Sequence, residues 1–341
     1  SPWPKLGRNN RNTSASFAVE GLKAYYPFNG NAVDESGHDN NGTVNGATLA
    51  VDRFGDANRT YSFDGVNDQI DLAGGSTDLY FDTGESYTMS AWIKVGDGNN
   101  RYPIIDNYGY GLEIYSDGKL KFYSLKGTFG GGHGYNELFS PSVIQKSEWQ
   151  HVVGVFQDTG TGGIQKLYLN GKLIASANVE RMGNSYVSRA RIGSTFHLLG
   201  LYYKGGIDEG RIYDRALNTT EVGWLYELEK PEAPVITTQP QDVNAVLGTA
   251  ASFTVEAGGS GLTYQWKKEG MDINGSTGST HTIDPAAYSD AGIYTVVVSS
   301  SHGSVVSAPA ELRVGVPASI TTQPVGHNET VGSLMRLEVE A

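Results

Sequence analysis

Two stretches of the sequence interleave aromatic rings with glycine and small polar groups: Thr128-Phe129-Gly130-Gly131-Gly132-His133-Gly134-Tyr135-Asn136 and Tyr108-Gly109-Tyr110. A sugar ring offers an apolar face that stacks on an aromatic side chain, while its hydroxyls take hydrogen bonds from Asn, His or Asp. The first stretch carries too many glycines to be anything but a loop, and loops carry binding. Phe129, His133, Tyr135 and Asn136 are therefore candidate ligand-binding residues. Tyr108 and Tyr110, just ahead of a strand, are candidate neighbours on the same rim. The competing reading of 128–136 is an insertion with no ligand.

Other chemistries find less to use. The chain has no cysteine, hence no disulfide framework, no thiolate metal site and no cysteine nucleophile. None of the seven histidines stands in a His-Glu-x-x-His spacing, and His151, two residues after Trp149, reads as structural. Lys and Arg total 25 against 37 Asp and Glu, a net charge of −12 without a basic stripe. That balance excludes nucleic acid as the main partner and favours solubility. No apolar run is long enough for a membrane span, and Ser1-Pro2-Trp3-Pro4-Lys5 opens no signal peptide. Residues 1–16 read as a polar tail.

The elements that must position these residues are strands. With 45 glycines and 20 tyrosines among 341 residues, the text is one of short strands and tight turns. Thr88–Val95 alternates: Met89, Ala91, Ile93 and Val95 point one way, Ser90, Trp92 and Lys94 the other. Gly111–Tyr115 and Lys119–Tyr123 flank Ser116-Asp117-Gly118 as a hairpin. Lys166–Leu169 and Lys172–Ala175 flank Asn170-Gly171, which accepts the positive φ angles of a type I′ turn. One short helix is predicted, capped by Asn218 with Glu221 completing a capping box, and with Val222 and Leu225 on one face. Pro231 and Pro234 mark a stiff linker.

Downstream, Ile236-Thr237-Thr238-Gln239-Pro240 recurs as Ile320-Thr321-Thr322-Gln323-Pro324, an offset of 320 − 236 = 84 residues. The same offset pairs Gly248 with Gly332 and Val255-Glu256-Ala257 with Val339-Glu340-Ala341. That period suits a small sandwich rather than a solenoid. A second copy therefore begins near residue 316, and the natural protein is expected to continue beyond Ala341.

The repeat resembles a bacterial immunoglobulin-like domain. Leu262-Thr263-Tyr264-Gln265-Trp266-Lys267 is similar to the strand with the buried tryptophan, and Asp290-Ala291-Gly292-Ile293-Tyr294 to the tyrosine corner. The resemblance puts Val255 and Val296 where the family has its disulfide, so apolar packing stands in for the bridge. Upstream, Gly21-Leu22-Lys23-Ala24-Tyr25-Tyr26-Pro27-Phe28-Asn29-Gly30, Asp34-Glu35-Ser36-Gly37, Tyr61-Ser62-Phe63-Asp64-Gly65, Trp149-Gln150-His151-Val152-Val153, Leu167-Tyr168-Leu169-Asn170-Gly171 and Ile207-Asp208-Glu209-Gly210-Arg211-Ile212-Tyr213 occur in order. They resemble the laminin-G-like branch of the concanavalin A-like lectin/glucanase superfamily. The implied architecture is all-β: a 17–230 antiparallel jelly-roll sandwich, a 231–315 immunoglobulin-like sandwich, and the start of a second repeat over 316–341.

The resemblance also implies sites to look for. Glucanases of the superfamily place carboxylates on one strand as Glu-x-Asp-x-x-Glu or Glu-x-Asp-x-Glu, as glycoside hydrolysis requires a carboxyl pair. The nearest string here, Glu113-Ile114-Tyr115-Ser116-Asp117, drops its second carboxylate into a turn. Tyr202-Tyr203-Lys204-Gly205-Gly206 is similar to a string of alginate lyases, without their Arg-rich and Gln-x-His strands. Many relatives hold a structural Ca²⁺ in an oxygen-rich shell, which makes Asp34, Asp64 and Asp208 the candidate calcium ligands. The expectation is a non-catalytic carbohydrate-binding module of a larger secreted or cell-surface bacterial protein, recognising a polysaccharide or glycoprotein glycan, with immunoglobulin-like spacers. The alternatives are an adhesin domain binding a protein surface, and a polysaccharide-active enzyme with an unrecognised site.

Overall fold

The computed structural model describes residues 20–72, 79–98, 100–126, 134–183, 190–195, 200–300, 302–316 and 320–323. The chain divides into two compact units between Lys230 and Pro231. In the first unit, two antiparallel sheets face each other. One has eight strands, in the order Lys172–Val179, Gly163–Leu169, Trp149–Asp158, Tyr87–Val95, Lys204–Tyr213, Thr60–Asp64 and Thr48–Ala50, with Leu22–Tyr26 also paired to Lys204–Tyr213. The other has seven, in the order Gly134–Val143, Lys119–Lys126, Tyr110–Ile114, Tyr102–Asn107, Ala190–Ile192, Gln69–Leu72 and Gly42–Asn45.

Alternation builds the core. Met89, Ala91, Ile93 and Val95 point inward and meet Ile104, Tyr110, Leu112, Phe122 and Ile192 from the opposite sheet. The turn at Asn170-Gly171 has both residues at positive φ, 49° and 74°, the conformation a type I′ hairpin demands.

The outer face of the eight-stranded sheet is not left to solvent. A helix, Thr219–Glu229, lies across it. Asn218 caps the helix by accepting from the Thr220 and Glu221 amides at 2.9 and 3.0 Å, and Glu221 accepts from the Asn218 amide at 2.7 Å. The helix's Val222 joins Val153, Val155, Tyr168 and Tyr213 in a second apolar cluster, and Tyr226 stacks on Trp92 at 5.7 Å. Trp92 thus points away from the main core, as the alternation predicts, and is buried all the same.

The second unit is a smaller sandwich. Strand Thr263–Lys268 pairs with Gly292–Ser300, which also pairs with Ala310–Gly315; strand Ala251–Thr254 pairs with Thr280–Ile283. Trp266 is fully buried against Phe253, and its indole donates to the Gly278 carbonyl at 2.9 Å. The Tyr294 hydroxyl donates to the Asp290 carbonyl at 2.8 Å. Val255 and Val296 are buried in the same cluster, apolar groups filling the interior where the resemblance placed a bridge.

Truncating a buried tryptophan costs about 3–5 kcal/mol. Trp266→Ala should therefore lower one of two calorimetric transitions strongly and leave the other in place. Limited proteolysis of the same variant should release an intact fragment ending near residues 231–234. A single transition shared by both units would contradict this division.

Candidate functional site: the outer face of the seven-stranded sheet

With the helix covering one sheet, the outward side chains of the other form the site. One cross-strand row passes through all seven strands: Thr43, Asp71, Arg191, Asp106, Gly111, Tyr123 and Glu137 pair in turn. The adjacent outward row is Glu113, Lys121 and Phe139. Opposite charges are neighbours in both, Asp71, Arg191 and Asp106 in the first and Glu113 and Lys121 in the second. Arg191 Nε donates to Asp71 Oδ1 at 2.6 Å. Glu113 is buried between Arg101 Nε at 2.5 Å and Lys121 Nζ at 3.3 Å. Lys121 Nζ also lies 2.5 Å from Glu137 Oε1. Its ammonium stands 5.0, 5.3 and 5.6 Å from the Tyr115, Tyr123 and Phe139 ring centroids, within cation–π range of all three.

Gly111 is what lets the first row close. A Cβ at this position would overlap the Tyr123 ring, so its absence lets the ring lie flat across the strand. The Tyr123 hydroxyl then reaches the Asp106 carboxylate. Burial first, and the Asp106 and Glu113 carboxylates next, push the Tyr123 phenol well above its ordinary range. At the edge of the face, Tyr115 and Phe139 meet edge to face at 5.4 Å, as do Tyr123 and Tyr135.

A second group of charges lies beneath the helix. Arg53 donates from Nη1 to Asp208 and from Nε to the Glu229 carbonyl at 2.9 Å. Arg211 pairs with Glu209 at 2.8 Å and Glu229 at 2.5 Å. The Trp92 indole donates to Glu229 Oε2 at 2.8 Å, and the Tyr25 hydroxyl to Glu209 Oε2 at 2.7 Å. Each guanidinium is charge-satisfied here and stacked on a ring: Arg53 over Trp92 at 4.9 Å, Arg211 over Tyr25 at 4.0 Å. Burial of charge requires such pairing, although Arg211 Nε and Glu229 Oε1 make no hydrogen bond.

Comparison with known proteins matches this geometry to families. A laminin-G model, described as the concanavalin A-like lectin/glucanases superfamily, matches residues 64–223, and an immunoglobulin-domain model matches residues 233–300. The chain thus carries a laminin-G-like jelly-roll domain over residues 64–223 followed by an immunoglobulin-like domain over residues 233–300. Endoglucanase C of Cellulomonas fimi is 39% identical over 98 residues, 27% of this chain and 9% of that protein. The chain thus spans under a tenth of this curated relative. The binding domain of paraclostridial mosquitocidal protein 1 superposes with a TM-score of 0.51 at 16% identity, over 81% of this chain and 77% of that one. The botulinum neurotoxin DC binding domain, solved in complex with rat synaptotagmin II, gives 0.50 at 13% identity over 84% and 73%. These two likenesses are of fold.

Within the laminin-G-type domain, the residues expected to bind separate. Phe129 and His133 lie outside the described residues. Tyr135 and Tyr108 are half-buried and adjacent: the Tyr135 hydroxyl donates to the Tyr108 carbonyl at 3.4 Å. Burial first, then Tyr108 and Asp106, pushes the Tyr135 phenol up to about 12. Tyr110 must be corrected. It is the first inward residue of its strand, fully buried in the core, with its hydroxyl donating to the Leu79 carbonyl at 2.5 Å, and it has no face to offer a ligand. Asn136 is corrected likewise: it is buried, and its amide donates to the Ser124 hydroxyl at 3.3 Å and the Glu180 carbonyl at 2.8 Å.

The three aspartates have separate partners, and among the described residues no group of three or more His, Asp or Glu is placed to hold a metal ion. Asp34 spends both carboxylate oxygens on Tyr25, Ser36 and Asn40 donors at 2.8–2.9 Å, ordering the 34–40 loop. Asp64 is exposed and accepts from the Val66 amide of its turn at 2.7 Å. Asp208 belongs to Arg53. Glu113 and Asp117 do not pair either, since Asp117 sits in the hairpin turn, accepting from the Lys119 amide at 3.1 Å.

Arg101, Asp106, Lys121, Tyr123, Glu137, Phe139 and Arg191 were not singled out by their types. The signal was present as alternation, with Lys121 and Tyr123 on one side of Phe122. Outward charges on a strand, however, look the same whether they are solvated or paired into a face.

Gly111→Ala should displace the Tyr123 ring from Asp106. Overpacking of this kind costs about 1–3 kcal/mol, read as a lower melting midpoint. A changed near-ultraviolet tyrosine signal should accompany it. An unchanged spectrum and midpoint would show that the ring does not lie across Gly111.

Proposed function

We propose that this chain is a non-catalytic, extracellular binding module whose laminin-G-type domain docks the surface of a protein partner on the outer face of the seven-stranded sheet. The observation that carries this reading is the breadth of the organised face. Seven strands at about 4.8 Å spacing make a row roughly 29 Å wide, the scale of a standard protein footprint, with half-exposed rings and arginines around a buried Asp106–Tyr123 centre. Half-exposed Tyr115, Tyr135 and Phe139, with Arg101 and Arg191, are the residue types that anchor such interfaces, Phe less so than Tyr and Arg. Opposed charges already paired within the face keep it soluble and leave orientation to complementarity with the partner. The fold-level likeness to a toxin binding domain solved with synaptotagmin II supports this reading. The immunoglobulin unit serves as spacer. Among the described residues no helix is long and apolar enough to cross a membrane.

Glycan recognition is the second reading. It is favoured by the edge-to-face Tyr115–Phe139 pair beside Lys121 and Glu137, which combines ring faces with hydrogen-bonding groups, and by the similarity to endoglucanase C.

An extracellular-protein array and a glycan array, probed with the parent and with Tyr115→Ala/Phe139→Ala, separate the two. The first reading expects saturable binding to a protein, unaffected by deglycosylation and weakened tenfold or more in the variant, since interface anchors are worth about 2 kcal/mol or more. Binding to free glycans, lost in the same variant, would replace it with the second. Equal binding by parent and variant would move the site off this face.

A further inference from the structure

The charges beneath the helix enclose a histidine. His151 is fully buried, 5.5 Å from the Trp92 ring and 6.2 Å from the Tyr226 ring of the helix. Its backbone is tied to Asn170, whose Oδ1 accepts from the His151 amide at 2.9 Å. Neither ring nitrogen has a hydrogen-bond partner in the protein. Trp92 also holds Glu229, the last residue of the helix, which is gripped by the Trp92 indole, Arg211 and, through its carbonyl, Arg53. The charged and titratable groups facing the pair are Arg53, Arg211, Asp208 and Glu209, with Asp52, Tyr25 and Tyr213 beside them. The cluster holds two guanidiniums against three carboxylates, so one carboxyl is left without a full positive charge of its own.

We propose that the last turn of the helix is an acid-operated latch, in which Glu229 and His151, both set against Trp92, offset each other through mild acid, and the turn lets go below it, where the His151 loss is no longer offset. Burial first, then the Arg211 and Arg53 charges, hold His151 down to about 3. The unfolded chain takes up that proton near 6.5, so His151 withdraws stability as pH falls from about 6.5 towards 3. Burial, against Arg211 and with Glu209, raises Glu229 to about 7. A raised carboxyl works in the opposite direction: the folded state binds the proton first, so stability is gained as pH falls from about 7 to the ordinary carboxylate range. Between about 6.5 and 4.5 the two cancel. Below that the Glu229 contribution is complete and the His151 loss continues alone. Asp208, raised by burial against Arg53, adds to the Glu229 side, and Glu209, held down by Arg211 and Arg53 despite burial, adds to the His151 side. When the turn lets go, Trp92 and His151 lose the Tyr226 ring that stacks on them.

The test compares the full chain with Glu229→Gln and His151→Phe, following melting midpoints and hydrogen exchange over residues 219–229 from pH 8 to pH 3. In the parent, amides of the helix should keep their protection to about pH 4.5 and then lose it before the amides of 87–95 and 149–158. The midpoint difference from the parent should fall on acidification between pH 7 and 4.5 for Glu229→Gln. It should rise between pH 6.5 and 3 for His151→Phe. Each slope is at most about 3–5 °C per pH unit. Helix and sheet amides losing protection together at every pH, or slopes of the same sign, would overturn the proposal. The His151 ring carbon signals in the parent provide a check that needs no variant: titration near 6.5 in the folded protein refutes the latch.

Discussion

The two guanidiniums beneath the helix, Arg53 and Arg211, set the terms for the rest of the first unit. Neither can lose its charge, so each must be surrounded by acceptors before the helix can close over it. Removing one partner from such a group costs about 3–5 kcal/mol, because it strands the others. The chain meets the requirement with residues far apart in sequence: Arg53 from a loop, Asp208, Glu209 and Arg211 from one strand, and Glu229 from the end of the helix. Register across the eight-stranded sheet, the route of the 52–59 loop and the length of the helix are all constrained by that one assembly. The helix has no basic residue in its last turn, and Arg53 bonding the Glu229 carbonyl supplies the positive charge favoured there.

Closing one side of the sandwich decides what the other side is for. The eight-stranded sheet packs one face on the core and much of the other beneath the helix, where apolar groups and the Arg53 and Arg211 ion pairs are buried together. The seven-stranded sheet is apolar on one face only. Its outward positions carry charges and rings that satisfy one another across the strands. The two sheets thus use the same alternation to different ends, and the contrast lies in their outward residues. Ser90, Trp92, Val153 and Val155 ask for a lid, whereas Asp106, Glu113, Lys121 and Arg191 ask for each other.

Much of this was legible in the sequence where local chemistry decides the outcome. Asn170-Gly171 names its turn, Asn218 with Glu221 names a helix start, and Trp266 with Tyr294 names an immunoglobulin-like core. Legibility failed where the outcome depends on which face of a strand a residue takes. Tyr108 and Tyr110 look alike in the text, yet they lie on either side of the point where the strand begins, so one lies beside Tyr135 and the other fills the core. Asp34, Asp64 and Asp208 share a residue type and a position near strand ends, but their uses differ: a loop organiser, a turn residue and an ion-pair partner. The paired face of the seven-stranded sheet was hidden for a related reason, since pairing between Glu113 and Lys121 is a property of two strands in register and of neither alone.

The valines at 255 and 296 have a mechanical meaning. Where a covalent bridge joins the two sheets of an immunoglobulin-like unit, pulling on its ends can pay out only the chain outside the bridge. Here nothing covalent interrupts the path from residue 231 to residue 315, 85 residues in all. Once its hydrogen bonds yield, the unit can lengthen to an extended span on the order of 290 Å and then refold without any oxidation step. A unit built this way would yield under load as a shock absorber does, its resistance resting on strand pairing and the packing around Trp266.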